Sequence, residues 1–353
     1  MKAAKNYKFW FATGSQDLYG DECLRKVAEH SKIIVEELNK SGVLPYEVVW
    51  KPTLITNELI RKTFNEANAD EECAGVITWM HTFSPAKSWI LGLQEYRKPL
   101  MHLHTQFNQE IPYDTIDMDF MNENQSAHGD REYGHIVTRM GIERKIVVGH
   151  WSDRKVQEKI ASWMRTAVGI MESSHIRVLH VADNMRNVAV TEGDKVEAQN
   201  KFGWEIDAYP VNEIAEAVEA VSQADTDALV EEYYDKYNIL LEGRDEAEFR
   251  RHVAVQAQIE IGFERFLEEK NYQAIVTHFG DLGALKQLPG LAIQRLMEKG
   301  YGFGGEGDWK TAAMVRLMKI MTQNVPNAKG TSFMEDYTYN LVPGKEGILQ
   351  AHM

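Results

Sequence analysis

The chain has 353 residues, 44% of them apolar and 26% charged, which is the composition of a folded protein with more than one domain. Its net charge of -14 argues against binding to nucleic acid or an anionic membrane surface, because both attract clustered Lys and Arg. No apolar stretch approaches the ~20 residues of a membrane span. A small uncharged ligand is compatible with this balance.

Cysteine usage and the N-terminus predict the compartment. Cys23 and Cys73 are too few for a disulfide framework. The segment Met1–Tyr7 leads into an aromatic run that is too short for a signal-peptide core. We therefore expect a cytoplasmic protein with reduced thiols.

The first half of the chain alternates short apolar runs with amphipathic helical patterns. A helix is predicted over residues 21–41, ended by Gly42, and Ser84 with Pro85 is predicted to open another. The predicted strands are 7–13, 48–50, 74–79, 100–104 and 145–148. This alternation predicts a parallel sheet covered on both faces.

The second half repeats the pattern after a helix predicted from Ser152 to about Met171. The predicted strands are 176–181, 204–209 and 274–278, and the predicted helices are 246–269 and 308–323. Two further strands, 332–339 and 348–352, have no partners in the remaining sequence and look like the opening of a β domain. We predict an α/β domain over 1–175, a second over 176–325, and an incomplete β domain over 326–353.

Glu306 lies in a glycine-rich segment, Gly302–Trp309, that leads into the predicted helix. Glycines before a helix occur in phosphate-binding loops, but the GK[ST] ending is missing, and Glu306 and Asp308 would repel a phosphate. The helix dipole would instead keep Glu306 ionised, as a metal ligand or general base requires. A plain tight turn with an acidic first-turn residue remains an alternative.

Glu335 lies in a predicted strand in which Phe333, Glu335, Tyr337 and Tyr339 share one face. A carboxylate among aromatic side chains is costly to bury unless it is paired or bound to a metal; an edge strand with a wet aromatic face is the alternative. Two carboxylates and the imidazole of His352 would suit a divalent cation, although a lone histidine is more often structural. Two glutamates can also move a proton between adjacent carbons.

Four segments resemble the L-arabinose isomerase family: Gly14–Gly20, Met121–Asp130, Gly302–Lys310 and Phe333–Tyr339. The resemblance implies two Rossmann-like parallel-sheet α/β domains followed by a mostly β C-terminal domain, of which the first strands occur here. It also implies a manganese-dependent aldose–ketose isomerase that converts L-arabinose to L-ribulose and D-galactose to D-tagatose.

The resemblance further assigns site residues. It implies metal ligands at Glu306, Glu335 and His352, with the two glutamates as an acid–base pair acting through an enediol. The family's second histidine ligand lies further along, so we expect the chain to lack the fourth ligand and part of a domain, and to have little activity by itself. Positions that match the sugar pocket are Gln16, Leu18, Tyr19, Phe83, Gln125, His128, Met185 and Phe279, with Asp308 supporting the site.

The resemblance also implies a homo-oligomer, a trimer or a hexamer, with pockets shared between subunits. Two alternatives come from the residues themselves. Two α/β domains flanking a cleft also form non-catalytic sugar-binding proteins. A different metal-dependent sugar isomerase or epimerase would use similar residues.

Overall fold

Two parallel β-sheets, each in a compact unit of its own, organise the chain. The structure is a computed structural model and describes residues 5–328 and 330–351. Described residues up to 171 form the first unit and those from 172 form the second. The domain limits placed at residues 175 and 325 stay a prediction.

The first unit contains a five-stranded parallel sheet. Its strands are β1 (Lys8–Gly14), β2 (Glu47–Trp50), β3 (Cys73–Met80), β4 (Leu100–His104) and β5 (Lys145–Val148). Its helices are α1 (Gly20–Lys40), α2 (Asn57–Ala69), α3 (Ile90–Glu95), α4 (Met118–Glu123), α5 (Ser126–Arg139) and α6 (Arg154–Ser173), the last ending at the limit of the unit. The strand order is β2-β1-β3-β4-β5, the order of a doubly wound α/β sheet.

Burial explains why these segments fold as predicted, with one exception. Every residue of β3 is buried, as expected of a central strand covered on both faces.

The prediction that Ser84 caps a helix at Pro85 was wrong. The Ser84 hydroxyl accepts a hydrogen bond from Trp89 Nε1 at 3.0 Å, and a 3-10 turn, Ala86–Trp89, precedes α3. The Ser84 hydroxyl therefore bonds to the buried Trp89 indole instead of capping a helix.

The second unit contains a four-stranded parallel sheet of order β7-β6-β8-β9. These strands are β6 (Arg177–Val181), β7 (Glu205–Tyr209), β8 (Ala274–Val276) and β9 (Gly302–Gly304). The helices are α7 (Lys195–Phe202), α8 (Val211–Glu219), α9 (Gln223–Lys236), α10 (Glu246–Glu269), α11 (Gly290–Glu298) and α12 (Trp309–Thr322). Both sheets therefore repeat one doubly wound pattern, which confirms the predicted fold class.

The glycine-rich segment forms part of this sheet. A Cβ atom on Gly302 would lie 2.1 Å from the carbonyl oxygen of Ala312, and one on Gly304 would lie 2.3 Å from that of Asp308. These two glycines let β9 pack closely on α12. The sequence pattern predicted only a loop here, because glycine is a poor strand former in isolation.

An antiparallel hairpin of β10 (Glu335–Asn340) and β11 (Gly347–Ala351) ends the described chain. The predicted shared face of Phe333, Glu335, Tyr337 and Tyr339 is only partly right. Phe333 precedes the strand, and the pairing with β11 steps from Asp336 to Thr338. The skipped Tyr337 interrupts the two-residue alternation, as a β-bulge does. His352 lies outside the described residues.

Two further predictions concern thiols and membranes. Cys23 and Cys73 are both free. Among the helices that the structure describes, none combines the length and the apolar character needed to cross a bilayer.

Candidate active site

The predicted site residues follow the carboxyl ends of strands in both sheets. In such sheets, ligands bind where the strand order reverses, which here is between β1 and β3 and between β6 and β8. Gln16, Leu18 and Tyr19 follow β1, and Phe83 follows β3. In the second unit, the corresponding edge carries the residues after β6, β8 and β9.

Glu306 lies at the carboxyl end of β9 in a strained backbone conformation. Its φ is 56°, a left-handed value that costs a non-glycine residue about 1–3 kcal/mol and occurs preferentially at functional sites. Its carbonyl oxygen accepts a hydrogen bond from Met185 N at 3.0 Å, and Gly307 N donates to the Thr277 carbonyl at 3.1 Å. The backbone around Glu306 is thus held from the loops after β6 and β8.

Asn184 completes this support, although no sequence pattern indicated it. Its Nδ2 donates to the carbonyl oxygens of Thr191, at 2.5 Å, and Gly307, at 3.1 Å. A Cβ atom on Gly307 would lie 2.6 Å from the Asn184 Cα. Position 307 therefore needs glycine both for this close approach and for its φ of 82°.

Glu335 reaches the same region from the hairpin. Tyr337 donates its hydroxyl to Glu335 Oε2 at 3.1 Å, and burial with this bond raises the pKa of Tyr337. Phe333 packs edge-on against Phe303 of β9, with ring centroids 5.5 Å apart. This aromatic contact brings Glu335 beside Gly305, where a Cβ atom would lie 3.9 Å from Glu335 Oε1.

The two glutamates line shared cavities. One cavity of about 430 Å³ also contacts Asp308, Phe333 and Tyr337. A second, of about 530 Å³, extends along an apolar wall towards the loop after β8. The lining residues of the second cavity include Thr277, His278, Phe279, Leu282, Leu288, Ile293, Phe303, Glu306, Glu335 and Tyr337. Both volumes are ample for one monosaccharide.

Asp308 has a structural role at the entrance to α12. Its side chain accepts hydrogen bonds from the backbone of Lys310 at 3.1 Å and Thr311 at 3.3 Å. The Thr311 hydroxyl adds a bond at 2.8 Å. Asp308 is therefore the N-cap of the helix, and it also lines the smaller cavity. The capped helix fixes the position of the turn that carries Glu306.

The residues present fit a hard divalent cation. Glu306 and Glu335 line common cavities, and carboxylate oxygens suit a hard divalent cation such as Mn²⁺. The predicted third ligand, His352, lies outside the described residues.

In the first unit the predicted sugar-binding residues gather at the carboxyl edge of the sheet. The rings of Phe83 and His128 contact edge-on, with centroids 4.9 Å apart. Gln125 N donates to the His81 carbonyl at 3.1 Å. Leu18 is 82% exposed, so within this unit it contacts little.

A polar cluster of His102, His104 and Asp130 lies deeper in the same unit, and no sequence motif indicated it. His102 Nε2 lies 2.7 Å from Asp130 Oδ1, and its Nδ1 lies 2.8 Å from the Thr78 hydroxyl. Both ring nitrogens of His102 are thus already hydrogen-bonded, which supports a structural role.

His180 lies on β6 in the second unit. It should make the free energy of unfolding depend on pH. Burial and the Lys195 ammonium lower the pKa of His180 to about 4, whereas the unfolded value is ~6.5. The unfolded chain therefore binds the extra proton between those values, and the free energy of unfolding rises with pH through that window. When the pH falls from 7 to 4.5, the free energy of unfolding should decrease in both proteins. We expect the decrease to be about 2 kcal/mol smaller for His180→Gln than for the wild type. Urea unfolding at both pH values measures this, and equal losses would contradict it.

The fold and the site define the class: a doubly wound α/β protein whose candidate site is built around a pair of glutamates. Comparison with known proteins then gives the family. Residues 3–175 match the L-arabinose isomerase N-terminal domain, residues 177–324 the central domain and residues 330–353 the C-terminal domain. The chain belongs to the L-arabinose isomerase family and is an isomerase enzyme.

Individual relatives agree with this family. The chain is 58% identical to the L-arabinose isomerase of Geobacillus thermodenitrificans over 353 residues, which are all of this chain and 70% of the relative. It is 56% identical to that of Clostridium beijerinckii over 353 residues, with the same coverage. Identity to that of Bacillus subtilis is 54% over 355 residues, again all of this chain and 70% of the relative.

Proposed function

We propose that this protein interconverts L-arabinose and L-ribulose, and D-galactose and D-tagatose, as an aldose–ketose isomerase. The observation that carries the proposal is the placement of Glu306 and Glu335 on one cavity at the carboxyl edge of the second sheet. The names of the relatives indicate L-arabinose as the sugar. A non-catalytic sugar-binding role is disfavoured, because a binding protein needs no pair of carboxylates and no strained glutamate.

The proposed chemistry follows from two carboxylates that line one cavity. One glutamate takes the proton from C2 of the aldose, and the other exchanges a proton between the carbonyl and hydroxyl oxygens, so that an enediol forms. Returning the proton to C1 gives the ketose. The strained backbone at Glu306 fixes its carboxylate in advance, so little reorganisation is needed during the reaction.

We propose Mn²⁺ as the cofactor, with Glu306, Glu335 and His352 among its ligands; other divalent ions share this ligand preference. When bound, the ion would polarise the sugar carbonyl as a Lewis acid. The Tyr337 hydroxyl donates a hydrogen bond to Glu335 Oε2 and so helps to orient the Glu335 carboxylate.

We further propose that Gln16, Leu18, Tyr19, Phe83, Gln125 and His128 bind the sugar of a neighbouring subunit in a cytoplasmic trimer or hexamer. Met185 and Phe279 would contact the sugar within the subunit that supplies the glutamates. The exposure of Leu18 is consistent with a partner that covers it. Analytical ultracentrifugation tests the assembly.

Metal dependence tests the proposed function. Protein treated with EDTA and then desalted should form no L-ribulose from L-arabinose, and added Mn²⁺ should restore a low but measurable formation of L-ribulose. The ketose is measured by chromatography, with Ca²⁺ as a comparison ion because its larger radius and flexible coordination suit the site less well. Unchanged activity after metal removal would contradict the metal role, and absence of L-ribulose with Mn²⁺ present would contradict the proposed reaction.

A further inference from the structure

The larger cavity has two polar side chains that the proposed chemistry does not use, Thr277 and His278. Most of its wall is apolar, formed by Phe279, Leu282, Leu288, Ile293 and Phe303. Of its other polar groups, the two glutamates serve proton transfer, and the Tyr337 hydroxyl is bonded to Glu335. Thr277 is buried, whereas His278 is half-buried and is the more accessible of the two.

The environment of His278 leaves one edge of its ring to the cavity. Nδ1 is buried and has no hydrogen-bond partner among the described residues. It faces Gly280, where a Cβ atom would lie 3.2 Å from Nδ1. Since the residue is half-buried, lines the cavity and has Nδ1 as its buried nitrogen, we infer that Nε2 is the nitrogen on the cavity side.

The position of His278 is fixed by the sheet rather than by a flexible loop. Val276, two residues earlier, is the last residue of β8 and pairs in parallel register with His180. Gly307 N bonds to the carbonyl of the intervening Thr277 at 3.1 Å, directly after Glu306. His278 and Glu306 are therefore carried on two segments joined by this bond.

We propose that His278 is a specificity-determining residue whose Nε2 binds a hydroxyl on C3, C4 or C5 of the open-chain sugar. The inference rests on the proposed function, since it takes C1 and C2 to lie at the glutamates. A sugar offers a hydroxyl on each remaining carbon, and in an apolar wall an unpaired hydroxyl is costly. His278 supplies an accessible hydrogen-bonding group in this wall, whose other unused polar residue, Thr277, is buried.

Kinetics of His278→Ala and His278→Gln test the proposal. Loss of one hydrogen bond to the sugar should raise KM for L-arabinose about 10-fold, with kcat within about twofold. His278→Gln, which keeps a donor and an acceptor, should recover most of the loss. The control is His175→Ala, which changes an exposed histidine of the same unit and should leave both constants unchanged.

Deoxy sugars separate binding from a structural role. The wild type should discriminate against one of 3-deoxy-, 4-deoxy- or 5-deoxy-L-arabinose, and His278→Ala should lose that discrimination. If the Ala variant keeps the wild-type KM, or discriminates as the wild type does against all three analogues, the proposal is wrong.

Binding of L-arabinitol, which cannot isomerise, separates this proposal from the proposed function. In protein with ¹⁵N-labelled histidine, we expect arabinitol to shift the Nε2 resonance that His278→Ala removes. A shift without any turnover would overturn the proposed reaction and support the hydroxyl contact. Turnover with no shift at saturating arabinitol would overturn the contact alone.

Discussion

Replacing Glu306 or Glu335 by glutamine is expected to lower kcat for L-arabinose by about 100-fold to 10,000-fold, the range that general acid–base groups supply. Glutamine keeps the size of the side chain but cannot accept the proton. Steady-state kinetics with saturating Mn²⁺ measures the effect. Because both glutamates act on one substrate, the double variant should lose little more than the worse single variant.

The matched control for this prediction is Glu346→Gln. Glu346 is an exposed carboxylate in the same hairpin region and lines neither of the two cavities. It should keep wild-type kcat, and circular dichroism should show all three single variants folded. If Glu306→Gln or Glu335→Gln turned over at a rate near that of the control, the acid–base assignment would fail.

The largest effect on stability is expected at Glu260, on α10. Glu260 is fully buried and accepts hydrogen bonds from Tyr233 at 2.5 Å, Arg295 at 2.7 Å and Lys299 at 2.9 Å. This network joins α9, α10 and α11. Removing the carboxylate leaves the buried Arg295 and the partly buried Lys299 short of a partner, which costs about 3–5 kcal/mol. We expect Glu260→Gln to lower the free energy of unfolding by that amount in urea denaturation.

Glu231→Gln is the comparison for that measurement. Glu231 pairs with Arg250 at the surface of the same unit, with side-chain exposures of 66% and 40%, so its loss should cost at most about 1 kcal/mol. Similar costs for the two variants would show that the buried network contributes no more than a surface ion pair.

Glu260 also shows where reasoning from sequence stops. The helix over 246–269 was predicted, and the structure confirms the bounds. From sequence alone, a glutamate in this helix is expected to be exposed, because charged residues are seldom fully buried without partners. Its partners Tyr233 and Arg295 lie 27 and 35 residues away, so no local pattern could reveal the network.

The candidate site likewise has some features that the sequence indicates and others that it does not. Glu306 and Glu335 were recognisable because a carboxylate among glycines and one among aromatic residues are locally unusual. The left-handed backbone at Glu306, the Asn184 bond to Gly307 and the place of His278 in the cavity depend on three loops meeting at one sheet edge. The strand order of the sheet brings these three loops together. Local sequence patterns do not reveal this strand order.

Proton exchange with solvent tests the central claim most directly. Wild-type protein with Mn²⁺ and the Glu306→Gln/Glu335→Gln variant are incubated with L-arabinose in D₂O, and NMR follows deuterium at C2 of the aldose and C1 of the ketose. We expect the wild type to form L-ribulose and to incorporate solvent deuterium at these carbons on prolonged incubation, and the double variant to do neither. Undiminished conversion by the double variant, or wild-type product that never acquires deuterium, would contradict proton transfer by the two glutamates.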